Sequence, residues 1–159
     1  MPTSSAVPVR RRGRALPAIA VGGAIVGGLD LAYAIAVYSP HAPLRIPQNI
    51  ASGVLGAASF RDGARSAALG LVLHFVIALG AAATYYWASR KLRVLVERAV
   101  LSGMIYGALV YVFMHQVVIP LSAAPAGGHL PLTYQAAEFV EHWFFVGLPI
   151  ALSVRHYSR

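Results

Sequence analysis

Six side chains able to hold protons or metal ions interrupt apolar stretches of this chain: Asp30, His74, His115, Glu138, Glu141 and His142. Imidazole and carboxylate are the donors of zinc, iron, manganese and copper sites, and helix bundles build such sites from facing side chains. His74, His115, Glu138 and His142 would give a divalent transition metal three nitrogens and one oxygen, with Asp30 and Glu141 as orienting groups or a proton relay. Glu138 and His142 are spaced i, i+4, which places them on one face of a helix. Glu141 should point about 100° away from His142, toward the headgroups. Imidazole titrates near neutral pH, so the same cluster could answer to acid instead of metal. Each residue also has a plain structural reading, as an interhelical hydrogen bond or a wetted helix mouth.

The elements that must position these groups are four apolar runs, at about 16–38, 66–89, 99–119 and 136–154. A span needs about 20 mostly apolar residues to cross roughly 30 Å of hydrocarbon. Of the 159 residues, 58% are hydrophobic and 11% charged, with a mean hydropathy of +0.65; soluble proteins carry about 25% charged residues. The expected fold is all-α, an integral membrane four-helix bundle forming one domain over 16–159, preceded by a disordered basic cytoplasmic tail at 1–15. Between the first two runs, Ser-Pro-His-Ala-Pro at 39–43 cannot continue a helix. Ile46, Ile50, Val54 and Ala57 or Ala58 then recur at helical spacing, predicting a short interfacial helix over about 47–60 with its apolar face on the membrane. Gly63 is suited to the turn that restarts the chain.

Charge gives the runs a direction. Arg10, Arg11, Arg12 and Arg14 precede the first; Arg90, Lys91, Arg93 and Arg98 join the second to the third; Arg155 and Arg159 follow the fourth. Only Arg45, Arg61 and Arg65 lie in the other connections. The positive-inside rule then puts both termini in the cytoplasm of a bacterium whose inner membrane holds the protein. A competing reading takes the first run as a signal peptide cleaved after Ala32-Tyr33-Ala34, but the apolar stretch continues to Tyr38, long for an h-region. Tyr85, Tyr86 and Trp87 ahead of Arg90 should mark the cytoplasmic boundary. Cations divided among tails and a hinge do not make a nucleic-acid face. There is no Cys, which excludes disulfides and thiol chemistry. No catalytic elbow, phosphate loop or H-E-x-x-H helix is present, which argues against an enzyme.

With alternating directions, all six polar residues fall in the outer half of the bundle. Gly23 with Gly27, Ala24 with Gly28, Gly80 with Thr84 and Gly103 with Gly107 form small-xxx-small pairs, which bring helices together in lipid within one chain or in a homo-oligomer.

From Leu69 to His156 the chain resembles the YagU-type bacterial inner-membrane proteins. The resemblance rests on His74, Tyr85 or Tyr86, Gly103 and Gly107, His115 with Pro120 five residues on, and Glu138 with His142. That family, associated with acid tolerance, has no established molecular activity, so the resemblance implies a location and a shared His/Glu set without a reaction. The first span lies outside it, and Asp30 with it. Four functions fit the residues: a metal-binding or pH-responsive site; a b-type haem carrier ligated by His74 and His115; a small proton or solute transporter acting as an oligomer; and an accessory or assembly subunit of a larger membrane complex.

Overall fold

An uninterrupted helix satisfies its own backbone, which is the condition for lying in hydrocarbon, and the four apolar runs meet it. The computed structural model describes residues 14–125 and 131–158; the expected disordered tail falls almost wholly outside them. Helix α1 (Ala15–Tyr38) ends as predicted at Ser39-Pro40. A short helix α2 (Arg45–Leu55) and a 3-10 turn (Gly56–Phe60) follow. Gly63, at φ 57°, reverses the chain into α3 (Ala64–Lys91). A single turn α4 (Val94–Glu97) leads to α5 (Ala99–Leu121), and a connection outside the described residues in part leads to α6 (Leu132–Ser158). The four long helices are each apolar enough to cross a membrane.

Helix α6 packs between α1 and α5, and α1 between α6 and α3. The backbone N–H of Arg14 donates to the Tyr157 carbonyl at 3.3 Å, so the start of α1 and the end of α6 share one end of the bundle. We call this the terminal end and the opposite one the α2 end.

The packing is inverted relative to a soluble bundle. Long aliphatic side chains such as Val72, Val76, Ile105 and Leu109 lie outside, while Ala18, Ala78, Ala82, Ala99 and Ala151 fill the interior. Lipid tails are as apolar as leucine, so burying leucine gains little there, and contact comes from close backbone approach. A methyl group on Gly23 would lie 2.9 Å from Leu79 Cα, and one on Gly27 would lie 2.5 Å from the Phe75 ring. On Gly103 it would meet the Gly147 carbonyl oxygen at 2.9 Å, and on Gly107 it would overlap the His142 carbonyl. Gly28 and Gly80 meet nothing within 4 Å. Two of the four small-residue pairs therefore build this bundle, and the other two face outward.

Helix α2 follows the same logic. Its buried face is Pro47, Gln48, Ala51 and Ser52, laid on the start of α3 where Gly70 admits the Pro47 carbonyl. Gln48 Nε2 donates to the Gly63 carbonyl at 3.0 Å, and the Gly53 carbonyl accepts from Ala123 N–H at 2.8 Å, tying the segment after α5 to the same cap. Val54, on the stripe expected to face the membrane, is exposed on the outside of the bundle. Tyr85 and Tyr86 differ from a boundary belt: both are buried, and the Tyr85 hydroxyl donates to the Leu95 carbonyl at 2.8 Å, anchoring α4, whereas Trp87 stays exposed.

Candidate functional site

Prolines set the local geometry of the site. Proline removes an N–H and its ring clashes with the carbonyl four residues earlier, which here is that of Gln116 for Pro120 and of Phe145 for Pro149. In both helices the turn before the proline widens into a π turn, Met114–Val118 in α5 and His142–Gly147 in α6. Each π turn carries one of the candidate histidines, His115 and His142. Such bulges often accompany functional sites.

His142 opens its π turn with Nδ1 at 2.9 Å from the Glu138 carbonyl oxygen and 2.8 Å from Glu141 Oε2. Donation of the Nδ1 proton to the carbonyl leaves Nε2 with its lone pair, the form that ligates metals. Glu141 is not turned to the headgroups, as its helical position alone suggests, because it lies at the junction where α-helix becomes π turn. Its side chain is 2% exposed, its Oε2 is paired with His142 Nδ1, and the carboxylate faces Asp30. Among the described residues, the one set of three metal-ligating groups whose donor atoms lie within 4.8 Å of one another is Asp30, Glu141 and His142. Modest side-chain movement would bring them onto an ion at about 2.0–2.2 Å.

The remaining residues stand beside this triad in pairs. His74 Nε2 lies 3.7 Å from Asp30 Oδ2 and 3.0 Å from the Gly27 carbonyl oxygen. His115 places Nδ1 3.1 Å from the Tyr111 carbonyl oxygen and Nε2 3.6 Å from Glu138 Oε2. The Tyr111 ring stacks on His115 at 4.1 Å between centroids and meets His142 edge-on at 5.3 Å. His74 thus sits with α1, and His115 with Glu138 between α5 and α6. Of the set expected to share one ion, only His142 belongs to the triad, which takes Asp30 and Glu141 instead. His74 pairs with Asp30 of the triad, and His115 stands apart with Glu138.

The sequence held one signal for this arrangement beyond residue type: the two in-span prolines that follow the histidines. A clear asymmetry also emerges along the bundle axis. On the four long helices, the next carboxylate or imidazole toward the terminal end is His156, in the last turn of α6. Between lie the tightly packed Gly23, Gly103 and Gly147 contacts and the small core residues.

Substituting Pro149 by alanine restores the N–H that an ordinary helix needs. The expected result is unchanged helix content by circular dichroism, with His142 rotated off the triad and metal affinity in equilibrium dialysis lowered at least about tenfold, the range for losing ligand orientation. Unchanged affinity would mean the π turn holds without the proline.

The fold and site define a class: an all-α four-helix bundle built to span a membrane, with carboxylates and imidazoles gathered near one end. Comparisons with protein-family models, with curated proteins and with solved structures find no match to this chain.

Proposed function

We propose that this chain is an integral protein of the bacterial cytoplasmic membrane, with both termini in the cytoplasm, that binds one divalent transition-metal ion through Asp30, Glu141 and His142. The observation that carries the reading is the convergence of two carboxylates and one imidazole: the buried Glu141 carboxylate, paired with His142 Nδ1 at 2.8 Å, also faces Asp30. Two carboxylates brought together disfavour each other's charge, and a cation between them offsets that cost. One imidazole and two carboxylates suit manganese, iron or zinc. His74 acts behind Asp30 as an orienting group. Orientation follows from charge: Arg14, Arg90, Lys91, Arg93, Arg98 and Arg155 belong to the terminal end, and the α2 end has fewer cations. The site is then reached from the outer face.

The test is elemental analysis of the detergent-purified chain after dialysis against Mn²⁺, Fe²⁺ or Zn²⁺. One ion per chain is expected, lost in Asp30→Asn and His142→Ala and kept in His115→Ala. Absence of stoichiometric metal, or equal loss in His115→Ala and His142→Ala, would overturn the triad.

A second reading, a proton-titrated site, draws on the pair His115–Glu138. With Nδ1–H donated to Tyr111, His115 Nε2 faces a carboxylate oxygen, an arrangement that is attractive only when one of the two carries a proton. Stability that changes between pH 5 and 8 in metal-free protein, and ceases to change in His115→Ala, would favour it.

A further inference from the structure

Between α1 and α6, on the terminal side of the metal-ligating cluster, a groove of about 480 Å³ runs to the terminal end. Val21 and Ile25 form one wall, and Leu148, Pro149 and Leu152 the other. Its last part is different in kind, being closed by Ser153, His156 and Tyr157. Leu148 and Leu152 are four positions apart, so the apolar part extends about 6 Å along α6, and the polar mouth continues it to His156.

Three observations limit what can lie there. The walls belong to helices apolar enough to cross a membrane, so the groove opens into hydrocarbon, and its occupant there is a hydrocarbon chain. Ser153 offers little to that occupant, because its hydroxyl is already donated to the Ala18 carbonyl at 2.9 Å. Finally, the polar mouth is flanked by fixed positive charge: Arg14 lies where its backbone N–H meets the Tyr157 carbonyl, and Arg155 adjoins His156. No carboxylate side chain lies on α1 or α6 at this end to neutralise them. An apolar groove with Arg14 and Arg155 at the same end of its two helices, where the carboxylate of Glu97 lies 3.7 Å from Arg93, matches an amphiphile with an anionic head.

We infer that the α1–α6 groove is a binding site for an anionic phospholipid of the adjacent leaflet, one acyl chain lying along Val21, Ile25 and Leu152 and the phosphate held by Arg14 and Arg155. Basic sites between helices at a membrane surface select anionic headgroups in this way. The site uses none of the proposed metal ligands, and it gives the terminal end a lipid preference.

Native mass spectrometry of the full chain in detergent, titrated with palmitoyl-oleoyl phosphatidylglycerol or with the phosphatidylcholine carrying the same chains, tests it. The phosphatidylglycerol adduct at one lipid per chain is expected to form about thirtyfold more tightly, as a contribution from two arginines near a surface implies. Arg14→Gln with Arg155→Gln should abolish the preference and leave a weak adduct with both lipids. Leu152→Trp, which fills the groove, should weaken both adducts; Val21→Phe, from the opposite wall, should do the same if Leu152→Trp proves unstable. Millimolar inorganic phosphate should not compete. Equal binding of the two lipids, full binding in both groove-filling variants, or displacement by inorganic phosphate would each overturn the proposal.

Discussion

Replacing Glu141 by glutamine should stabilise the metal-free protein and abolish its metal binding. These opposite effects follow from one buried carboxylate. Its nearest partner, His142 Nδ1 at 2.8 Å from Oε2, is shared with the Glu138 carbonyl at 2.9 Å, which leaves the carboxylate short of donors while it faces Asp30. An amide removes the charge, keeps the shape and brings an N–H donor to the facing Asp30 carboxylate. A gain of about 1–3 kcal/mol is expected, the scale of an unsatisfied buried polar group. Metal affinity should fall at least about 100-fold, since losing even an outer-shell partner costs 10- to 100-fold. Thermal unfolding in detergent with a chelator, beside equilibrium dialysis with the metal, reads both quantities. A less stable Glu141→Gln protein would show the carboxylate to be a structural partner rather than a ligand in waiting.

The largest loss of stability is expected from a single methyl group at Gly147. A Cβ there would overlap the Gly103 carbonyl and the Gly107 backbone nitrogen, neither of which can rotate away, so α5 and α6 would have to separate. Overpacking of this kind costs at least about 1–3 kcal/mol even where side chains can yield, and α5 has few other contacts, with 6% of its apolar window buried. Gly28→Ala and Gly80→Ala are the controls: both positions face open space in mid-helix, where alanine gains about 0.5–1 kcal/mol over glycine. Cooperative unfolding by a denaturing detergent should rank Gly147→Ala well below wild type and the controls at or above it. Equal stability of Gly147→Ala and Gly28→Ala would mean that the α5–α6 contact does not hold the bundle together.

Much of the fold was legible in the sequence because lipid imposes length. The spans lie within a few residues of their apolar runs, and the breaks at Ser39-Pro40 and Gly63 follow from proline and glycine chemistry. The lateral faces were harder to read. Apolar periodicity identifies the core only when the surroundings are water; here Val54 and Ile105 are outside for the same reason that Ala51 and Gly103 are inside. Contrast in size carries the information that contrast in polarity carries elsewhere, and Gly23 with Gly27 and Gly103 with Gly107 were readable on that basis.

The site was legible as a list and a level, and not as a partition. Helical spacing joins Glu138 to His142, but a π turn beginning at His142 breaks the regular rotation that such spacing assumes. Glu141 then comes to face Asp30 and His142, while Glu138 goes to His115. Pro120 and Pro149 mark where the regular geometry fails, although the direction in which it fails depends on how α5 and α6 meet at Gly107.

The gap in carboxylates and imidazoles between the cluster and His156 has a thermodynamic meaning. A site joined by polar groups to one compartment alone equilibrates with that reservoir and is indifferent to the other. On the proposed function, occupancy of the site would follow the concentration on the side of the α2 cap and not the gradient across the bilayer. Such a bundle would act as a gauge set into the membrane.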